Sequence, residues 1–157
     1  MILRVFAPCC SSIVSLIELS QIFGRSMLAQ GRGHILLVGC MAAYQPIPHL
    51  AVYAAAKAFV LSFDEALHVE LAPSIGVAVL SPGLMDTGFN DASGYETPPA
   101  MNAMKLAPAT VAKIGLDAMF AGKSGVIAGR LNKVMAFIGR VTSRHLAATA
   151  SMPKARR

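Results

Sequence analysis

The chain has 157 residues, 55% of them hydrophobic, and its 14 Lys and Arg against 8 Asp and Glu give a formal charge of +6. That length holds one domain with a real core, and a mean hydropathy of +0.57 points to a well-buried α/β interior. Basic residues scattered without interleaved aromatics exclude a nucleic-acid surface, three cysteines make no disulfide framework, no Cys or His falls at zinc-ligand spacing, and no apolar run reaches the roughly 18 residues of a membrane span.

Met1 to Cys10 fits neither a clean strand nor a helix. Arg4 ahead of an apolar stretch imitates a secretory signal, but Pro8, Ser11 and Ser12, and the lack of a small-x-small cleavage site exclude it, so the chain is placed in the cytoplasm. Ser11 or Ser12 is predicted to cap a helix to about Gln30, with Ile13, Leu16, Ile17, Leu19, Ile22, Phe23 and Met27 as its apolar stripe, ended by Gly31-Arg32-Gly33. His34 to Cys40 is continuously apolar at its centre and reads as a buried parallel strand. Pro46 and Pro48 shape the next loop and lead into a helix from about Leu50 to Leu71. In it Val52, Ala56, Phe59, Val60, Phe63 and Leu67 are core candidates, while Asp64, Glu65, His68 and Glu70 are expected to face water. Val77 to Leu80 is a second buried strand, turned at Pro82-Gly83. Leu84 to Leu106 lacks sustained periodicity and has the length of a lid or binding loop. Pro108 opens a helix to about Phe120. A turn at Gly122 to Gly125, a short strand to Ala128 and one basic amphipathic helix from Arg130 to about Ser151 complete the chain.

Tyr53 and Lys57 stand out. Four residues apart on a helix, they share a face, so an ammonium sits one turn from a phenol whose unperturbed pKa is about 10 and can favour its phenolate. They follow one apolar strand and precede another, at whose carboxyl ends an open α/β sheet binds its ligands.

This ordered set resembles the short-chain dehydrogenase/reductase family from about Ser12 onward. The resemblance implies a Rossmann-like, doubly wound parallel sheet that lacks its first βαβ units, in a single domain over residues 1–157 with 1–11 as a leader foreign to the family. It implies NAD or NADP as cofactor and hydride transfer to or from an alcohol or carbonyl carbon of a small molecule. Tyr53 takes the role of proton donor or acceptor, and Lys57 lowers its pKa and holds the nicotinamide ribose. Cys40 stands where the family has a serine that hydrogen-bonds the substrate oxygen, and a thiol is a weak donor. Ser12 or Ile13 stands where the family has a catalytic asparagine. Pro82, Gly83 and Thr87 map to the nicotinamide side, and Leu84, Met85, Phe89, Tyr95 and Met101 are candidate substrate-lining residues. Family dimers imply a homo-oligomer through the helices at residues 12–30 and 50–71.

Gly122-Lys123-Ser124 imitates a P-loop ending, but a helix rather than a strand precedes it. The four histidines show no catalytic constellation. No Gly-x-x-x-Gly-x-Gly occurs in the chain. Without that pyrophosphate-binding turn, oxidoreductase activity of this chain alone is expected to be impaired, and the competing reading is a non-catalytic interaction or dimerisation fragment.

Overall fold

The computed structural model describes residues 2–85 and 105–151. Three parallel strands form one sheet in the order β1-β2-β3: β1 (Gly33–Val38), β2 (Ile75–Ser81) and β3 (Gly125–Ile127). β1 pairs with β2 from Gly33 opposite Ile75 to Val38 opposite Leu80, and β3 pairs only with Val79 to Ser81. The helices are α1 (Ile2–Gln30), α2 (Ala51–Leu71), α3 (Pro108–Phe120), α4 (Arg130–Val141) and α5 (Arg144–Ala150), with a short 3-10 turn at Met41–Tyr44.

Side-chain alternation along the strands sorts the helices into two layers. Leu37 and Val79 face α1 and α2, where they meet Val60, Leu16, Phe59 and Phe63. Leu36 and Leu80 face the other way and pack with Val111 and Ile114 of α3. The result is a three-layer α/β/α arrangement, the doubly wound class expected from the sequence.

Several expectations are corrected. Residues 2–10 are not an irregular leader, because α1 runs unbroken through them and carries Ser11 and Ser12 inside the helix rather than at its cap. Pro8 is the one residue of that stretch with a strong objection to helix, and a single lost ladder bond does not end a helix favoured on both sides of it. The inner face of α1 is also rotated from the predicted stripe. Ser20 and Gly24 are buried, whereas Leu19, Ile22 and Phe23 are all more than half exposed. Gly31 does end the helix: its φ is 69°, and Gly31 N to Leu28 O and Arg32 N to Met27 O close the last turn.

β1 is an edge strand rather than a buried one among the described residues, and its Val38 is 54% exposed. The expected single C-terminal helix is two. Thr142 is extended, and Ser143 then accepts a hydrogen bond from Leu146 N, so its hydroxyl caps a new helix instead of continuing the old one.

The largest departure lies on α2. Asp64 is fully buried, not solvated, because it falls one turn after Val60 on the face that meets β2. Neither carboxylate oxygen has a hydrogen-bond partner. Burial pushes its pKa up to about 7, with the Glu65 charge adding to the rise; the Val79 amide offsets part of it but already donates to Ser124 O. His68 also turns inward, donating from Nδ1 to Val77 O at 2.7 Å.

A carboxyl that ionises near 4 in the unfolded chain and near 7 in the folded one binds its proton more tightly when folded. Stability from this group is therefore complete below about pH 4 and is lost as pH rises through 7, a change on the order of 4 kcal/mol. Asp64→Asn is expected to raise the thermal midpoint by several degrees at pH 8 and by much less at pH 5, read by circular dichroism. An equal shift at both pH values would mean that Asp64 is ionised in the folded protein.

Candidate active site

The carboxyl ends of β1 and β2 are held together beyond the strands themselves. Gly39 N donates to Leu80 O at 2.8 Å, and Met41 N donates to Pro82 O at 3.0 Å, which brings Cys40 beside the Pro82-Gly83 turn. The 3-10 turn that follows is pinned by Tyr44, whose hydroxyl lies 3.4 Å from the buried Ser81 Oγ. The loop then reverses at His49, which adopts a left-handed φ of 68°, and α2 begins two residues later. This route aims the first turns of α2 back at the end of β1.

Lys57 thereby lies against the carboxyl end of β1, with Tyr53 one helical turn before it. Lys57 Nζ donates to Val38 O at 3.1 Å and lies 5.9 Å from the centre of the Tyr53 ring. The electrostatic outcome differs from the expectation, however. The Tyr53 pKa is raised rather than lowered, first by burial and then by the neighbouring Cys40 thiol, which is also its hydrogen-bond partner, with Cys9 adding to the rise. The ammonium donates to a backbone carbonyl, and desolvation of the phenolate decides the direction.

Cys9 was not singled out from the sequence. It sits on α1 one helical turn before Ser12 and Ile13, and that spacing was the available signal. Asn132 was missed as well. It is buried on α4, donates from Nδ2 to Ala128 O at 2.6 Å, and packs against Gly83 so closely that a Cβ there would collide with its amide. Gly83 is therefore required by packing as well as by the turn.

Leu84 and Met85 are half-buried. Met85 packs in the α3-side core with Leu106, and Leu106 N donates to Leu84 O at 3.1 Å, so the two ends of the intervening segment meet. Thr87, Phe89, Tyr95 and Met101 lie outside the described residues. Among the described residues, no group of His, Cys, Asp and Glu side chains is placed to hold a metal ion.

The residues fit a nicotinamide cofactor at one end. Lys57 is fixed at the carboxyl end of β1, where an open α/β sheet binds its ligands, and the Pro82-Gly83 turn follows the end of β2, with Pro82 buried and Gly83 half-buried. For the pyrophosphate end, this chain offers no glycine-rich turn opening a helix. Two surface cavities lie elsewhere, one around Phe23, Met27 and His34 and one around Tyr44, Glu65 and Arg140, and neither is lined by Tyr53 or Lys57.

Comparison with known proteins agrees with this fold. The sequence model of the family described as short chain dehydrogenase matches residues 10–97. A curated relative, the 11-beta-hydroxysteroid dehydrogenase-like 4A of Arabidopsis thaliana, is 38% identical over 61 residues, which cover 39% of this chain and 20% of that protein. Among solved structures, one from work on 7beta-hydroxysteroid dehydrogenase stereoselectivity superposes with a TM-score of 0.71 at 24% identity, covering 88% of this chain and 54% of the other. A short-chain dehydrogenase from Sphingobium yanoikuyae solved with NADPH gives a TM-score of 0.67 at 22% identity, covering 92% and 55%. The chain thus spans about half the length of these structures and a fifth of the curated relative. Because the family match takes in more than half of the residues and the shared fold takes in nearly all of them, the chain belongs to the short chain dehydrogenase family.

Proposed function

We propose that this chain supplies the catalytic side of an NAD- or NADP-dependent oxidoreductase acting on an alcohol or carbonyl group of a small molecule. The observation that carries the reading is the pairing of Tyr53 and Lys57 at the end of β1, with Cys40 at the phenol. The similarity to an enzyme solved with NADPH supports the choice of cofactor class. When bound, the cofactor supplies the hydride; Lys57, Pro82, Gly83 and Thr87 are the residues that would hold its nicotinamide end.

Tyr53 is placed to pass a proton to or from the substrate oxygen. At neutral pH its phenol is protonated, so it acts as a general acid that gives its proton to a carbonyl oxygen as that oxygen gains charge. Cys40 orients the phenol and is a poorer donor to the substrate oxygen than a hydroxyl would be. Met85, Phe89 and Tyr95 are the residues proposed to line the substrate. Further proposals are a cytoplasmic setting and a homo-oligomer through residues 12–30 and 50–71, the outward face of α1 carrying Val14, Leu19, Ile22 and Phe23. No helix among the described residues is long and apolar enough to cross a membrane.

One observation favours a second reading, a non-catalytic interaction piece. The missing pyrophosphate cradle removes charge-assisted hydrogen bonds worth roughly 1.5–3 kcal/mol each, which weakens cofactor binding by orders of magnitude. Calorimetric titration of the purified chain with NADH and NADPH is expected to show no saturation below millimolar concentration. Saturable binding in that range would mean that residues of this chain or a second copy build the missing pocket.

Placed behind a nucleotide-binding half from a family member, the chain is expected to turn over a carbonyl substrate. Tyr53→Phe should then cut kcat by about 100-fold or more, the usual worth of a general acid, whereas Cys40→Ser should raise it. An unchanged kcat in the phenylalanine variant would remove Tyr53 from the mechanism. Light scattering of the chain at micromolar concentration is expected to give a dimer or larger species, and a sharp monomer would count against the helical interface.

A further inference from the structure

The charge of this chain is segregated along its length. All eight acidic residues lie at or before Asp117, whereas eight of the fourteen Lys and Arg follow it, and from Ala118 to Arg157 there is no carboxylate side chain. This basic third includes α4, and α4 is oriented against the usual rule for a surface helix. Its small or polar side faces the body of the protein: Asn132 and Ala136 are buried, and a Cβ at Gly139 would sit 3.1 Å from Tyr44 O. Its large apolar side faces out. Leu131, Val134, Met135, Phe137, Ile138 and Val141 are all exposed, Phe137 by 66% and Val141 by 68%. At 100° per residue they sweep roughly 160° of the helix circumference. Leu146 of α5 extends the patch and is 58% exposed.

The basic side chains border this face. Lys133 stands on one flank, Arg130 at the first turn and Arg144 at the start of α5, all exposed. Arg140 has a different task, since it pairs with Glu65 at 3.3 Å and lies 5.7 Å from the Tyr44 ring, tethering α4 to α2 and the 3-10 turn. A helix anchored by its narrow side, with a wide apolar face outward and cations along the rim, matches a surface that lies in the headgroup and acyl boundary of a bilayer.

We propose that α4 and α5 form a peripheral docking face for an anionic lipid bilayer, the apolar residues entering the interface and Arg130, Lys133 and Arg144 meeting the headgroups. Charge complementarity selects this occupant over a second copy of the same face. Two copies would bring two carboxylate-free, basic segments together, which like-charge repulsion opposes. Phosphatidylglycerol-type headgroups supply the opposite sign.

The test is flotation of the full chain with vesicles of phosphatidylcholine alone and of phosphatidylcholine containing phosphatidylglycerol. Binding is expected only to the anionic vesicles and is expected to fall steeply with added salt. Arg144→Gln should weaken it roughly fivefold, the worth of one basic side chain near such a surface. The double variant Phe137→Ser with Ile138→Ser should abolish binding while leaving the thermal midpoint unchanged, since both residues are exposed. Equal or absent binding to the two vesicle types overturns the proposal. So does a double variant that converts a larger species to monomer, which would assign the face to a second copy, or one that lowers the thermal midpoint, which would show the face packed within this chain.

Discussion

The constraint on which the rest of the structure depends is the burial of β2 from Val77 to Ser81. From Val77 to Ser81 every residue is buried, so both faces of the strand must be covered and both of its edges paired near the carboxyl end. β1 and β3 supply the edges; α2 and α3 supply the faces. Covering a strand on both sides demands a continuously apolar run, and Val77-Ala-Val-Leu80 is one. Gly115 shows how tight that covering is, for a Cβ there would stand 2.8 Å from Leu80 Cδ2. Because β2 cannot shift, the turn at Pro82-Gly83 cannot shift either, and the site is built from what that turn and the end of β1 hold in common.

Within that frame the chemistry of the site is governed by desolvation. Tyr53 and Asp64 lie on the same helix, and burial raises the pKa of both. For Tyr53 the shift keeps the phenol protonated and makes it a weaker acid. For Asp64 the shift is a cost to the fold at neutral pH, because its oxygens have no partner and the helix turns them into the sheet. The Lys57 ammonium donates to Val38 O, at the exposed carboxyl end of the edge strand. Its hydrogen bond fixes the position of the charge.

The same packing rule explains why α4 is turned outward. Where a helix lies against Gly83 and Tyr44 there is room for Asn132, Ala136 and Gly139 and for nothing larger. Bulky residues on α4 are therefore left on the opposite side by exclusion, next to the basic residues of the C-terminal third. The Arg140–Glu65 pair is exposed and weak as a stabilising contact, so small-residue packing rather than charge holds the helix down.

What the sequence by itself determined were the parts that depend on local pattern. The two apolar strand runs, the alanine-rich α2, the proline start of α3 and the glycine end of α1 were all legible because each is set by neighbours within a turn or two. The placement of Tyr53 and Lys57 on one face follows from helical spacing in the same way. The tertiary structure alone decided the directions in which these elements face. Asp64 is buried, and Leu19, Ile22 and Phe23 are exposed, because the inner face of a helix is chosen by which residues let it approach its neighbour closely, as Ser20 and Gly24 do on α1. The rise of the Tyr53 pKa was equally beyond local reading. It sums burial with Cys40 and Cys9, which come from two other elements, and only the fold brings those groups to the phenol.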